Sequence, residues 1–227
     1  MFTNIHHVKG VISHYQVVPY VRLVAVTKTL SVEDTEKAIQ DGLTDLGENR
    51  VQAAEKKILA LSATYHVTWH YLVNIQTNKA KKIVELFDVI HSIGSWDALH
   101  AINAAADKLG KRPEILLEVN VSGEASKHGF TPQDIRMSIQ TIPQYKYVQF
   151  KGYMTMAPYT QDETLLHSVF GGLKSLADDV QAKQGIAYDH LSMGMSNDYK
   201  IALMEGATMV RLGTILFSQG GEKDEKQ

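Results

Sequence analysis

The chain contains no cysteine. That absence excludes disulfides, thiolate catalysis and cysteine-ligated zinc or iron–sulfur sites, and it fits a reducing compartment. It has no long basic block. Lys plus Arg (23) nearly balances Asp plus Glu (25), for a formal net charge of −2, so nucleic acid is not expected as a partner. No apolar run approaches the ~20 residues of a membrane-spanning helix. The opening stretch MFTNIHHVKGVISHY lacks a basic start followed by an apolar core, so no secretory signal is expected. The expectation is a cytoplasmic protein that does not enter a membrane. What is present is ordinary for a folded chain: 44% hydrophobic and 21% charged residues over 227 positions, enough for a substantial core.

Short runs rich in Val, Ile, Leu and aromatic residues alternate with longer segments of helical spacing. The runs predict strands over Arg22–Lys28, Asp45–Asn49, Val67–Val73, Val89–Gly94, Glu114–Ser122, Val148–Met156, Ala187–Gly194 and Met209–Gln219. Between them Val51, Ala54, Ile58 and Leu61 recur at helical intervals, as do Trp96, Leu99, Ile102, Ala106 and Leu109. The segment Asp162–Lys183 repeats the pattern. Ser31 and Thr131-Pro132 read as helix starts, and Gly42, Gly110, Gly185 and Gly206 as helix ends. Parallel strands need crossovers, and eight strand–helix units close into a barrel of about 250 residues. The predicted fold is therefore α/β, a (β/α)8 TIM barrel with an extra N-terminal helix over Ile5–Tyr15; an open doubly wound sheet is the alternative. No linker is visible, so residues 1–219 read as a single domain and residues 220–227 as a disordered charged tail.

In such a barrel, function gathers at the C-terminal ends of the strands and in the loops that follow. Strand one ends in Lys28. Partial desolvation there would favour the neutral amine, the form that attacks a carbonyl to make a Schiff base. A solvated lysine at a strand end is the plainer alternative. Strand two ends in Gly47-Glu48-Asn49-Arg50, where Asn49 offers a hydrogen bond to a ligand and Glu48 and Arg50 pair with each other or with solvent. Ser192-Met193-Gly194-Met195-Ser196-Asn197-Asp198 leads from strand seven into a helix start, and Arg211-Leu212-Gly213-Thr214 lies on strand eight. Backbone N–H groups and hydroxyls at a helix start bind anions, and barrels often hold phosphate after strands seven and eight. Helix capping by Ser196, Asn197 or Asp198 is the competing explanation. Arg211 and Gly213 share a face, where an inward arginine needs a ligand or a carboxylate.

Among ten histidines there is no HExxH motif, and His66 and His70 flank strand residues, so no metal site is expected. The methionines of Tyr153-Met154-Thr155-Met156 read as barrel lining. A lysine amine, a phosphate cradle and an arginine around one mouth suggest pyridoxal 5′-phosphate (PLP), whose aldehyde, phosphate and ring nitrogen need such partners. Arginine stays protonated, which would keep the ring nitrogen unprotonated and weaken the ring as an electron sink.

At these residues the sequence resembles the pyridoxal phosphate homeostasis proteins, the YggS/PROSC (PLPBP) family with an alanine-racemase-like barrel. The resemblance runs through LVAVTKT (Leu23–Thr29), GENRVQ (Gly47–Gln52), WHYLVNIQTNK (Trp69–Lys79), HSIGS (His91–Ser95), EVNVSGEASKHGF (Glu118–Phe130), GYMTMAP (Gly152–Pro158) and the long LSMGMSNDYKIALMEGATMVRLGTILF (Leu191–Phe217). It implies that Lys28 carries PLP as a Schiff base. It implies that Ser192, Gly213 and Thr214 hold the phosphate, and that Arg211 faces the ring nitrogen. It also implies that Asn49 is a pocket residue and that Met193, Gly194 and Ser196 shape the phosphate loop. The chain departs from the family at Val73, where a glycine is usual, and at Gly94, where aspartate is common; contacts from strands three and four are not carried over.

The resemblance implies a PLP-binding protein of intracellular vitamin B6 homeostasis, without catalytic turnover, monomeric, with PLP-dependent enzymes as candidate clients. The competing class is a PLP-dependent racemase-like enzyme. Two-base proton transfer needs groups on both faces of the cofactor, and His70, Tyr71 and Tyr153 are the candidates for the second base. Racemases of this fold resemble the barrel but carry a further β-rich domain, for which no room is expected after strand eight. A third class binds another phosphate ester, with Lys28 acting only as a charge.

Overall fold

The computed structural model describes residues 2, 4–124 and 127–218. The stretch 220–227, expected to be a disordered tail, lies outside the described residues. Eight parallel strands close into a barrel in sequence order: β1 (Arg22–Val26), β2 (Asp45–Glu48), β3 (Thr68–Tyr71), β4 (Val89–Ile93), β5 (Glu114–Glu118), β6 (Gln149–Met154), β7 (His190–Ser192) and β8 (Met209–Leu212). Closure pairs β1 with β8 through Val24↔Arg211 and Ala25↔Leu212. The open-sheet alternative is thereby set aside. The N-terminal helix is present as α1 (Asn4–Tyr15), followed by α2 (Val32–Gln40), α3 (Val51–Leu61), α4 (Ala80–Leu86), α5 (Trp96–Leu109), α6 (Pro132–Ser138), α7 (Glu163–Gln184), α8 (Tyr199–Met204) and α9 (Thr214–Phe217). Helix α1 packs against α8 and α9. Among the described residues no helix is long and apolar enough to cross a membrane.

The elements begin and end where local chemistry directs. Ser31 Oγ accepts from Asp34 N (3.0 Å) to start α2, and Ser95 Oγ from Ala98 N (3.1 Å) to start α5. Gly110 and Gly185 close α5 and α7 in the left-handed conformation. Before α6, Thr131 and Asp134 exchange side-chain-to-backbone hydrogen bonds in a capping box ahead of Pro132. Replacing Thr131 with alanine is expected to cost about 1 kcal/mol, read as a lower midpoint in urea unfolding.

Several expected strands run past the observed ones. The ladder of β5 stops at Glu118 rather than Ser122, because Asn120 Oδ1 accepts from Gly123 N (3.0 Å) and Ser122 Oγ (3.1 Å) and turns the chain. The expected strand Met209–Gln219 ends at Leu212, and Thr214–Phe217 is helical. So short a stretch has too few apolar positions for their period to separate strand from helix.

The core has two compartments. On β5, Ile115 and Leu117 face the helices and join the large outer core with Leu99, Ile102, Phe170 and Leu173. Leu116 points the other way and packs with Met154 and Met209, with Met156 at the margin. The two methionines read as barrel lining thus lie where expected.

Candidate functional site

Strand β1 ends at Val26, two residues short of the expected Lys28. Its last ladder pair is Val26↔Gly47; Thr27 N then bonds Gly47 O, and Leu30 N bonds Thr27 O in a turn. Lys28 therefore stands on the turn, exposed, and the expected desolvation is not found. The turn is anchored from outside the barrel. Glu48 pairs not with Arg50 but with Lys57 of α3 (2.7 Å), while Lys57 Nζ also donates to Thr27 O (2.6 Å) and Thr27 Oγ1 to Glu48 Oε1 (2.7 Å). All three side chains are buried.

A cavity of about 870 Å³ opens at this end of the barrel. It brings together Lys28, Ser196, Arg211, Gly213 and Thr214, with Met195 and Asn197 at its edge. Gly213 precedes α9 and Thr214 is its first residue, so the backbone N–H groups of that turn lack helical partners. A smaller cavity, about 460 Å³, lies at the opposite end against Arg22, Asp88, Lys111 and Glu114, where the strands begin. Function in such barrels lies at the other end.

The remaining expected residues surround the cavity without lining it. Asn49 is half-buried just after β2. Ser192 and Met193 are fully buried beneath the mouth. Gly194 adopts φ 95°, and a Cβ there would meet Ala202 Cβ at 2.7 Å and Tyr199 Cα at 3.0 Å, so the loop over α8 admits only glycine without strain. Asp198, not Ser196 or Asn197, occupies the cap position of α8; its Oδ1 accepts from Met195 N (2.5 Å) and folds the loop back.

Arg211 points into the barrel and meets no carboxylate at ion-pair distance among the described residues. Its Nη1 donates to Ser192 Oγ (2.6 Å) and its Nη2 to Thr155 O (3.0 Å). Burial lowers its pKa to about 10, with Asp198 and Glu118 acting in the opposite direction. Burial raises the carboxyl of Glu118, against the pull of Arg211 and His128, and raises that of Asp198 likewise. Glu118 escaped the sequence reading; its signal was the alternation along β5, which turns it inward beside Leu116.

The three candidates for a second base lie elsewhere. His70 is fully buried inside the barrel. Tyr71 packs edge-on against Phe87, and Tyr153 sits against Phe150 and Tyr188 on the helix side. Among the described residues no group of three or more His, Asp or Glu is arranged to hold a metal ion.

A family model described as the alanine racemase N-terminal domain matches residues 4–219. A pyridoxal phosphate homeostasis protein of Synechocystis sp. is 38% identical over 199 residues, covering 88% of this chain and 91% of that protein. Among solved structures, PipY of Synechococcus elongatus PCC7942 without PLP aligns at a TM-score of 0.88 and 34% identity, over 95% of this chain and 98% of PipY. PipY with PLP bound gives 0.85 and 33% over the same shares. An alanine racemase of Clostridium difficile 630, 16% identical, aligns at a TM-score of 0.76 over 97% of this chain and 58% of that one, a likeness of fold alone.

Proposed function

This chain belongs to the family of pyridoxal phosphate homeostasis proteins, and we propose that it holds PLP at the barrel mouth without turning over an amino acid. The observation that carries the reading is the mouth cavity, which gathers an amine, a cation and a hydroxyl- and glycine-bearing turn around one space. Its volume lies in the usual range of about 300–1,000 Å³ for small-ligand sites, so the residues present fit the group. When bound, PLP supplies an electrophilic aldehyde that captures amines. Lys28 Nζ is the amine that would hold the aldehyde as a Schiff base. Gly213 and Thr214 receive the phosphate as expected, with backbone N–H and hydroxyl donors, and Ser196, which lines the cavity, takes the place expected of the buried Ser192. Ser192, Met193 and Gly194 form the layer beneath that loop, Asn49 borders the pocket beside β2, and Arg211 meets the ring nitrogen as a permanent donor. The PLP-bound structure of PipY, a relative one-third identical, supports this reading.

Holding without turnover is favoured by the same residues. An arginine opposite the ring nitrogen keeps that nitrogen unprotonated, and His70, Tyr71 and Tyr153 are packed away from the cavity. The reading makes the cytoplasm the working compartment, a monomer the working form, and PLP-dependent enzymes the clients. Purified protein mixed with PLP is expected to gain a visible absorption band, while an added amino acid exchanges its α-proton no faster than with free PLP. A protein that stays colourless overturns the PLP reading. Exchange well above the free-PLP rate replaces the holding role with a racemase-like one.

A further inference from the structure

A continuous row of hydrogen bonds crosses the barrel interior from β2 to β8. Asp45 Oδ1 lies 3.0 Å from His70 Nε2, and His70 Nδ1 lies 2.8 Å from His91 Nε2. His91 Nδ1 lies 2.9 Å from Ser192 Oγ, which accepts from Arg211 Nη1 at 2.6 Å. His70, His91 and Ser192 are fully buried, Arg211 is 5% exposed and Asp45 9%. Buried polar groups are costly unless each hydrogen finds an acceptor, so the row has few allowed proton placements.

Arg211 only donates, so Ser192 Oγ accepts from it. The Ser192 hydroxyl hydrogen then needs an acceptor, and His91 Nδ1 is the one within reach among the described residues. His91 must carry its proton on Nε2 and donate to His70 Nδ1. His70 in turn carries its proton on Nε2 and donates to Asp45. Thr44 Oγ1 satisfies the other Asp45 oxygen (2.9 Å). Every hydrogen is placed, and all donors run one way, from Arg211 to Asp45. Reversing the histidines leaves the Ser192 hydroxyl hydrogen with no acceptor and turns a second N–H donor, beside that of Arg211, onto the same oxygen. Burial, with the charge of Arg211 close by, holds the His91 imidazole well below its ordinary pKa, in keeping with a neutral ring. Burial raises the Asp45 carboxyl, but the hydrogen bonds from His70 and Thr44 and the charge of Arg22 outweigh it and keep it ionised.

We infer that His91, backed by His70 and Asp45, is a positioning residue for Arg211. Its Nδ1 lone pair locks the Ser192 hydroxyl so that the oxygen faces Arg211 Nη1, while Thr155 O holds Nη2. Arg211 remains cationic, so the row carries no proton to the mouth; it sets the plane in which the guanidinium is presented to the cavity. A corollary follows for Ser192. Its hydroxyl proton is committed to His91, so Ser192 serves the arginine rather than donating to a phosphate. The consequence for the cofactor rests on the PLP reading above; the proton placement does not.

Two measurements test the inference. In the full chain with 15N-labelled histidine and no cofactor, His91 and His70 are expected as neutral tautomers protonated at Nε2, assigned by the signals lost in His91→Asn and His70→Gln. A proton on His91 Nδ1 overturns the inference. The second measurement compares His91→Asn, whose side-chain oxygen stands in for Nδ1, with His91→Gln, whose amide reaches the Nε2 position and leaves Ser192 without its acceptor. In PLP titrations, His91→Gln is expected to weaken binding by about tenfold and shift the visible band, with His91→Asn within about twofold of wild type. Wild-type behaviour in both variants, or equal loss in both, overturns the positioning role. A wild-type protein that binds no PLP instead sinks the cofactor reading, and the tautomer measurement alone then decides the row.

Discussion

Lys28→Ala is expected to abolish the covalent adduct with PLP. In the wild type, borohydride reduction should fix a pyridoxyl group on the peptide containing Lys28; in the variant that mass increment should fall to background. Binding itself should weaken by about tenfold rather than vanish, because the phosphate donors at Ser196, Gly213 and Thr214 and the guanidinium of Arg211 persist around the same cavity. Fold stability should not change measurably, since Lys28 is exposed on a turn and exposed side chains contribute little. The experiment separates Lys28 from other amines at the mouth: Lys127 donates to Ala157 O (3.4 Å) on the β6 side. An undiminished adduct in Lys28→Ala, mapped to another peptide, would move the amine to a different strand end and leave Lys28 as a charge alone.

The largest stability effect is expected at Lys57, far from any ligand in the sequence reading. Lys57 and Glu48 form a buried pair, 5% and 0% exposed, and Glu48 Oε2 has no hydrogen-bond partner. Truncating Lys57 to Met leaves a buried carboxylate without its counter-charge and releases Thr27 O, the carbonyl just before Lys28. Breaking one partner of such a pair costs about 3–5 kcal/mol. For a chain of this size that corresponds to a fall in Tm of roughly 10 °C or more, readable by calorimetry. The double variant Glu48→Gln with Lys57→Met should recover part of the loss, because the charge itself is gone. A Tm for Lys57→Met within a degree or two of wild type would show that water reaches Glu48 and that the pair is not sealed.

The alternation of short apolar runs with helical segments pointed to a parallel barrel, because parallel strands have few ways to connect, and the pairing of β1 with β8 excluded the open sheet. Caps at Ser31 and Thr131 were equally legible, since they depend on partners three residues away. Lys28, Ser196, Arg211, Gly213 and Thr214 could be singled out because each lies just after a strand or within its last turn, and strand order decides which end of the barrel they reach. Element ends were less legible. Nothing in the composition of Met209–Phe217 marks the change from strand to helix after Leu212, and only closure against β1 decides it.

The sequence by itself determined which end of the barrel Lys28, Ser196, Arg211, Gly213 and Thr214 lie at, because the period of a strand and the direction of a parallel barrel are local rules. Only the tertiary structure decided what those residues touch. His91 and Ser192 are 101 positions apart, Thr27 and Lys57 30, and no spacing announces that they share hydrogen bonds. Whether Lys28 is exposed, whether Arg211 meets a carboxylate or a hydroxyl, and how a row of imidazoles is protonated depend on which side chains converge when the barrel closes. Burial then turns those contacts into requirements, because a polar group removed from water must find its partner within the fold.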